Sequence, residues 1–310
     1  MLDRLAGNAA LKQDLAAALA ADRLAHSILL VGERGCGAGF AARCLAADYL
    51  YPAGGPHAEA VLRGEDSECI AIRGEGASGQ IRVERVRDAR EAIQHSALSE
   101  DARGRVLFVY GAQDLNQSSA NAMLKIIEEP PEGVLFLFTA ASAAGVLPTI
   151  RSRCAAYTLA PVPPAECAAA LRRELPRLSR DEADDLAFLY EGHIGLGLAA
   201  VRQPDTREAL ARAREFAALA AQGDAYRALA LATRLERDKA AAGALLEQLA
   251  FVSSAALRRP GYAGVEPPRA AALLRAAGRA RDALRANGNL RLTLAVFAAE
   301  CCADAQSIKR

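Results

Sequence analysis

Two loops of this chain have the setting for phosphate chemistry and lack the side chains that perform it. The first is Gly32-Glu33-Arg34-Gly35-Cys36-Gly37-Ala38-Gly39, directly after the apolar run Ser27–Val31 and before a helical stretch. A glycine-rich turn between a strand and a helix is the place of a P-loop, whose backbone amides point at an anion. A working P-loop then supplies a lysine for the outer phosphates and a serine or threonine hydroxyl for magnesium. Here those positions are Ala38 and Gly39. The turn survives while the point charge and metal ligand are gone, so a purely structural loop with no cofactor is weighed against residual nucleotide binding. The second loop is Tyr110-Gly111-Ala112-Gln113, after the apolar run Val106–Val109. A P-loop ATPase ends this strand in acidic residues that hold magnesium and orient water, which Tyr110 and Gly111 cannot do. Asp114 lies four residues beyond Tyr110 and reads as a solvated loop or helix-capping residue.

These loops need a scaffold, and the spacing of apolar residues predicts one. Leu11–Leu24 and Val83–Gln94 have helical periodicity, whereas Ser27–Val31, Val106–Tyr110 and Val134–Phe138 are short apolar runs suited to buried strands. Strands alternating with helices imply a doubly wound parallel sheet, an α/β P-loop NTPase-like fold. After Pro161-Val162-Pro163-Pro164 the pattern becomes entirely helical. A first helical region, about 165–203, is closed by the glycine-rich stretch Gly192–Gly197. Pro204-Asp205-Thr206 then begins a new helix, with Asp205 or Thr206 as its cap. Further breaks are expected at Gly223-Asp224, between Pro260 and Pro268, and at Asn287-Gly288-Asn289. The expected domains are 1–163 (α/β), 164–204 (a small helical lid) and 205–310 (a C-terminal helical bundle).

Composition sets outer limits. Of 310 residues, 52% are hydrophobic and 24% charged, as in an ordinary globular protein, and the net charge of +1 gives no general attraction for polyanions. Any nucleic-acid contact would come from a local cluster or a larger assembly. Arg82, Arg85, Arg87, Arg90, Arg103 and Arg105 form such a cluster, but Glu84, Asp88, Glu91, Glu100 and Asp101 interleave with them, which favours a salt-bridged helix face. The seven cysteines show no disulfide spacing and read as reduced thiols. No signal peptide is read at Met1, and charges break the Ala-rich stretches, so the expectation is a cytoplasmic protein without a membrane span.

One series of residues carries a family resemblance. Ser118-Ser119-Ala120-Asn121-Ala122-Met123-Leu124-Lys125-Ile126-Ile127-Glu128-Glu129-Pro130-Pro131 is a helix stopped by two prolines, and Thr149-Ile150-Arg151-Ser152-Arg153-Cys154 follows the next strand. This series resembles the bacterial clamp-loader ATPase family of AAA+ proteins, which carries an Asn-Ala-Leu-Leu-Lys-x-Leu-Glu-Glu-Pro-Pro helix and a Ser-Arg-Cys signature. The resemblance is specific over residues 1–160. Beyond them it is one of architecture, with a helix start at Asn289-Leu290-Arg291-Leu292.

The resemblance implies a role for each matching position. The two acids of the family's metal-binding strand fall on Tyr110 and Gly111, and the nucleotide-sensing arginine of the lid falls on Gly195. With Ala38 and Gly39, these losses imply a non-hydrolysing member of the loader. Arg153, flanked by Ser152 and Cys154, would be an arginine finger acting in trans on a neighbouring subunit's ATP, since a guanidinium offers a permanent charge and a planar fork of donors. Arg151 is its competitor for the role, and a surface ion pair is the plain alternative. Many members hold zinc with four cysteines in the region that here contains only Cys44, His57 and Cys69, so no metal is expected. The implied partners are the loader's ATPase and clamp-opening subunits in a hetero-pentamer, the sliding clamp, and primer-template DNA through the assembly. Ala-rich faces at Ala209–Leu219 and Leu290–Phe297 could form an internal core or a collar between subunits. The rival readings are an ATP-binding motor subunit of the same loader and a DNA-binding or scaffold module on a decayed AAA+ fold.

Overall fold

Alternation along the strands builds two cores from one sheet. Ile28 and Leu30, Val106 and Phe108, and Leu135 and Leu137 face one side, where they meet Ala41, Leu45 and Leu50. Leu29 and Val31, Leu107 and Val109, and Phe136 and Phe138 face the other, against Val86, Met123 and Ile127. Period-two alternation with both faces apolar is what a helix-covered parallel sheet requires. The computed structural model describes residues 1–76, 79–94, 99 and 101–307. The strands are β1 (Ser27–Val31), β2 (Cys69–Arg73), β3 (Arg105–Tyr110), β4 (Val134–Ala140) and β5 (Ala155–Thr158). They pair in the order β2-β3-β4-β1-β5, all parallel, with Ser27 opposite Phe136 and Ile28 opposite Ala155. The helices of this part are α1 (Ala9–Ala20), α2 (Ala38–Leu50), α3 (Pro56–Arg63), α4 (Val83–Ile93), α5 (Gln117–Glu128) and α6 (Pro148–Arg151).

A buried ion pair ties the starts of β2 and β3 to α4. Glu68 is fully buried and Arg105 is 6% exposed. Arg105 Nε lies 3.2 Å from Glu68 Oε2, while Glu68 Oε1 accepts from the Ser99 amide at 2.8 Å. The Arg105 guanidinium also donates to the Ala92 carbonyl. Arg85 pairs with Glu75 and Arg103 with Asp22. These three arginines thus bridge between segments and not along a helix face as the sequence suggested. Glu100 lies outside the described residues.

The remainder is helical: α7 (Pro164–Glu174), α8 (Arg180–Leu189), α9 (Ile194–Arg202), α10 (Pro204–Gln222), α11 (Ala225–Thr233), α12 (Lys239–Arg258), α13 (Pro267–Arg285) and α14 (Leu290–Ser307). The chain forms two units, Met1–Ala170 with Gly192–Gly195, and Leu171–Glu191 with Leu196–Arg310. In the second, α12 buries Leu245, Leu246, Leu249 and Val252, and Phe216 stacks on Phe297 with ring centres 4.9 Å apart. Three expectations need correction here. Gly195 and Gly197 do not close a helical region but lie inside α9. Gly197 serves packing, because a Cβ there would meet the Leu171 side chain at 3.0 Å. Helix α10 begins at Pro204 with Gln203 as its cap position and no side-chain cap, so neither Asp205 nor Thr206 caps it. Proline at the first helical position needs no donor partner and presets the helical φ. Finally, α12 is long and apolar enough to cross a membrane, with 20 residues and a mean hydropathy of 1.4. Glu247 is the one charge between Lys239 and Arg258, and the burial of the apolar face fits a core helix. Gly223, Asp224 and Asn289 do mark helix ends as predicted: Gly223 is left-handed, Asp224 caps α11, and Asn289 Oδ1 accepts from the Leu292 amide at 3.0 Å.

Candidate functional site

The loop after β1 turns sharply into α2, with Gly35 and Gly37 both at positive φ. The Cys36 amide donates to the Glu33 carbonyl at 2.9 Å and the Gly32 amide to Ala140 at 2.9 Å, which fixes the loop to the end of β4. The resemblance places nucleotide ligands where this chain has Ala38, Gly39, Tyr110, Gly111 and Gly195. A Cβ at Gly39 would lie 3.4 Å from Cε1 of Tyr110, so the ring from the end of β3 lies in contact distance of the start of α2. Tyr110 stacks on Phe108 at 5.5 Å and lies under the Arg73 guanidinium at 5.9 Å. Burial pushes its phenol up, against the opposing pull of Arg43. Gly111 is at φ +83°, a left-handed conformation that other residues rarely adopt, and a Cβ there would displace the Asp114 carboxylate, whose Oδ2 would lie 2.3 Å away. Asp114 ends a short 3-10 turn, and the cap of α5 is Asn116, whose Oδ1 accepts from the Ser119 amide at 3.0 Å. At the lid position, the Gly195 amide donates to the Gly35 carbonyl at 2.9 Å, and a Cβ at Gly195 would lie 3.0 Å from Gly35 Cα. Residues 192–195 therefore close directly on the loop, helped by His193 Nε2 facing Glu33 Oε2 at 3.3 Å.

The double substitution Ala38→Lys, Gly39→Thr is expected not to create an Mg-ATP site, because Tyr110 and Gly111 still supply no acid to hold the metal. Isothermal titration checks it, and binding tighter than about 1 mM, the weak end of measurable affinities, would refute it.

Arg153 stands in the turn between α6 and β5. Its guanidinium is 40% exposed; Nη2 lies 2.6 Å from Glu128 Oε1 and Nη1 donates to the Thr149 carbonyl at 3.1 Å. Arg151 donates to the Ala143 carbonyl at 3.1 Å, and the Ser152 hydroxyl to Thr149 at 3.2 Å. Cys154 points the other way, packed against the core that contains Phe136 and Ile150. Its thiol is pushed from the ordinary 9.0 to about 12 by burial. The signature thus has a half-buried anchor at Cys154 and an exposed charge at Arg153. A raised thiol pKa keeps a proton in the folded state that the unfolded chain loses first, so the stability it contributes is intact below pH 9 and falls as pH rises from 9 toward 12. Cys154 is accordingly expected to resist iodoacetamide at pH 8 in the folded protein and to react after denaturation, as peptide mass mapping would show. Sequence reasoning missed Glu128 as the partner of Arg153. The signal was present as the acid just before Glu129-Pro130-Pro131, where the prolines fix the end of α5.

The other candidate positions do not converge. Cys44 is buried in α2 and Cys69 lies in β2, with both thiols pushed up to about 12 by burial. His57 Nδ1 faces Asp66 Oδ2 at 3.3 Å and its ring stacks on Tyr51. Among the described residues, no three His, Cys, Asp or Glu side chains form a group that could hold a metal ion.

Residues 7–163 match the family model described as DNA polymerase III, delta subunit. The chain belongs to this clamp-loader family. It is 33% identical over 150 residues to DNA polymerase III subunit delta' of Escherichia coli, covering 48% of this chain and 43% of that protein. It is also 36% identical over 165 residues to DNA polymerase III subunit gamma/tau of Mycobacterium tuberculosis, covering 51% of this chain and 28% of the relative. The chain thus spans well under two thirds of the length of these family relatives. A gamma subunit-related protein of DNA polymerase III from Thermotoga maritima shares the fold over 93% of this chain and 98% of its own, with a TM-score of 0.55 at 19% identity. The fold is that of the AAA+ P-loop proteins, with a mostly helical C-terminal part.

Proposed function

We propose that this chain is a non-hydrolysing subunit of the DNA polymerase III clamp loader and that it supplies Arg153 in trans to the ATP site of an adjacent subunit. One observation carries the reading: Gly195 packs directly on Gly35 of the loop, while Arg153 stands half-exposed on a turn of the same unit. A permanent charge with no phosphate of its own has a use on a neighbour's phosphate. Arg151 supports the role less well, because its guanidinium folds back onto the Ala143 carbonyl.

In this reading residues 1–163 keep the AAA+ shape, 164–204 form the lid and 205–310 join a collar. Tyr226 and Leu229 on α11, with Leu292 and Val296 on α14, support the collar, being large apolar side chains left exposed on two helices that pack together. The neighbours would be the ATPase and clamp-opening subunits of a pentamer that loads the sliding clamp onto primed DNA in the cytoplasm.

The likeness to the gamma/tau relative favours a second reading, an ATP-binding motor subunit. Nucleotide binding by the isolated chain would decide for it. Reconstitution with the ATPase and clamp-opening subunits tests the first reading, with DNA-stimulated ATP turnover measured for native chain and Arg153→Ala. Equal turnover would sink the finger, and failure of the native chain to assemble would sink the loader role.

A further inference from the structure

We propose that Glu128 is a positioning residue for Arg153, an inference that rests on the reading of Arg153 as a trans-acting group. An exposed arginine has four rotatable torsions and is ordinarily mobile, so a charge that must meet a phosphate accurately needs restraint. Arg153 has two partners from different elements. Thr149 in α6 accepts a hydrogen bond from Nη1 through its carbonyl, and Glu128 in the last turn of α5 forms an ion pair with Nη2, Oε1 lying 2.6 Å away. Both partners are themselves fixed. Thr149 follows Pro148 at the start of α6, and Glu128 precedes Glu129, Pro130 and Pro131, which end α5.

One of the five guanidinium protons is used in the Thr149 hydrogen bond, and donors on the remaining nitrogens stay available for an incoming oxyanion. Glu128 is 49% exposed, so the pair is solvent-screened and adds little to stability. Its consequence is geometric: it holds the fork at one place on the surface. Because the contact is an ion pair, glutamine, which keeps the size and removes the charge, should not hold the fork as glutamate does.

The full chain serves as the test material, as native protein, Glu128→Ala, Glu128→Gln and Arg153→Ala. In the isolated chain, phenylglyoxal adducts at Arg153 are counted by mass spectrometry against Arg151 as internal reference. In the reconstituted loader, kcat and KM for DNA-stimulated ATP turnover are measured. Glu128→Ala is expected to raise adduct formation at Arg153 about threefold, as loss of one weak surface pair allows. It should lower kcat on the order of tenfold with KM unchanged, as expected for a misplaced catalytic group. Glu128→Gln, which removes the charge and keeps the size, should change both in the same direction as Glu128→Ala. Unchanged adduct formation or unchanged kcat in Glu128→Ala would overturn the proposal, and so would Glu128→Gln behaving like the native chain. If Arg153→Ala abolishes turnover while Glu128→Ala leaves it native, only the positioning role falls. If Arg153→Ala itself turns over normally, the finger reading falls and takes this one with it.

Discussion

Arg153→Lys in a reconstituted loader is expected to lower ATP turnover at the neighbouring site by about 10²–10³-fold, nearly as far as Arg153→Ala. Lysine keeps the charge and loses the fork. Arg153 is held by a hydrogen bond from Nη1 to the Thr149 carbonyl and an ion pair of Nη2 with Glu128, and presents its remaining donors in the same plane. An ammonium has three donors on one atom, and spending them on the same two acceptors would leave at most one for a phosphate. The shorter reach of its single nitrogen adds to the loss. The measurement is turnover with saturating DNA and ATP, beside a binding assay showing that the variant still assembles. A lysine variant with more than about a tenth of native turnover would mean that a point charge suffices, against the planar recognition assumed here.

The second large effect concerns the fold. Glu68→Ala is expected to destabilise the α/β unit by about 3–5 kcal/mol, because it strands the Arg105 charge in a buried position. Arg105 is 6% exposed and its main acidic partner is the fully buried Glu68. The same substitution removes the acceptor of the Ser99 amide. The pair itself need not stabilise, since desolvating two charges offsets much of their attraction. A double change, Glu68→Leu with Arg105→Met, should therefore recover most of the loss. Urea unfolding followed by circular dichroism checks both. A Glu68→Ala midpoint equal to native would show that water reaches Arg105 in the folded protein.

The central strands were legible because both faces are apolar. Ser27–Val31 was read with its observed limits, and β3 and β4 were read to within a residue or two. The edge strands β2 and β5 gave no such signal. Cys69-Ile70-Ala71-Ile72 is an apolar run of only four residues with Ile72 alone buried, and Ala155-Ala156-Tyr157-Thr158 is shorter still, alternating between half-buried and exposed positions. Within the site, the missing side chains at Ala38, Gly39, Tyr110 and Gly195 could be read directly, since an absent lysine needs no geometry. What fills their places could not. That Tyr110 lies against Gly39 and Gly195 against Gly35 follows from contacts across 71 and 160 residues of chain. The same holds for Glu128, which meets Arg153 only because α5 and the turn after α6 end on the same side of the sheet.

The strand order has a consequence for the order of assembly. Strand β1 is made early, yet its two neighbours are β4 and β5, with Ser27 waiting for Phe136 and Ile28 for Ala155. A growing chain therefore carries β1 with both edges open until more than a hundred further residues have emerged, and contacts of such separation form slowly. The stretch that finally seals it, from β4 through β5, is the one that bears Arg153. The exposed charge is thus installed in the same stretch that completes the sheet, and a nascent chain stopped before Val134 would hold neither.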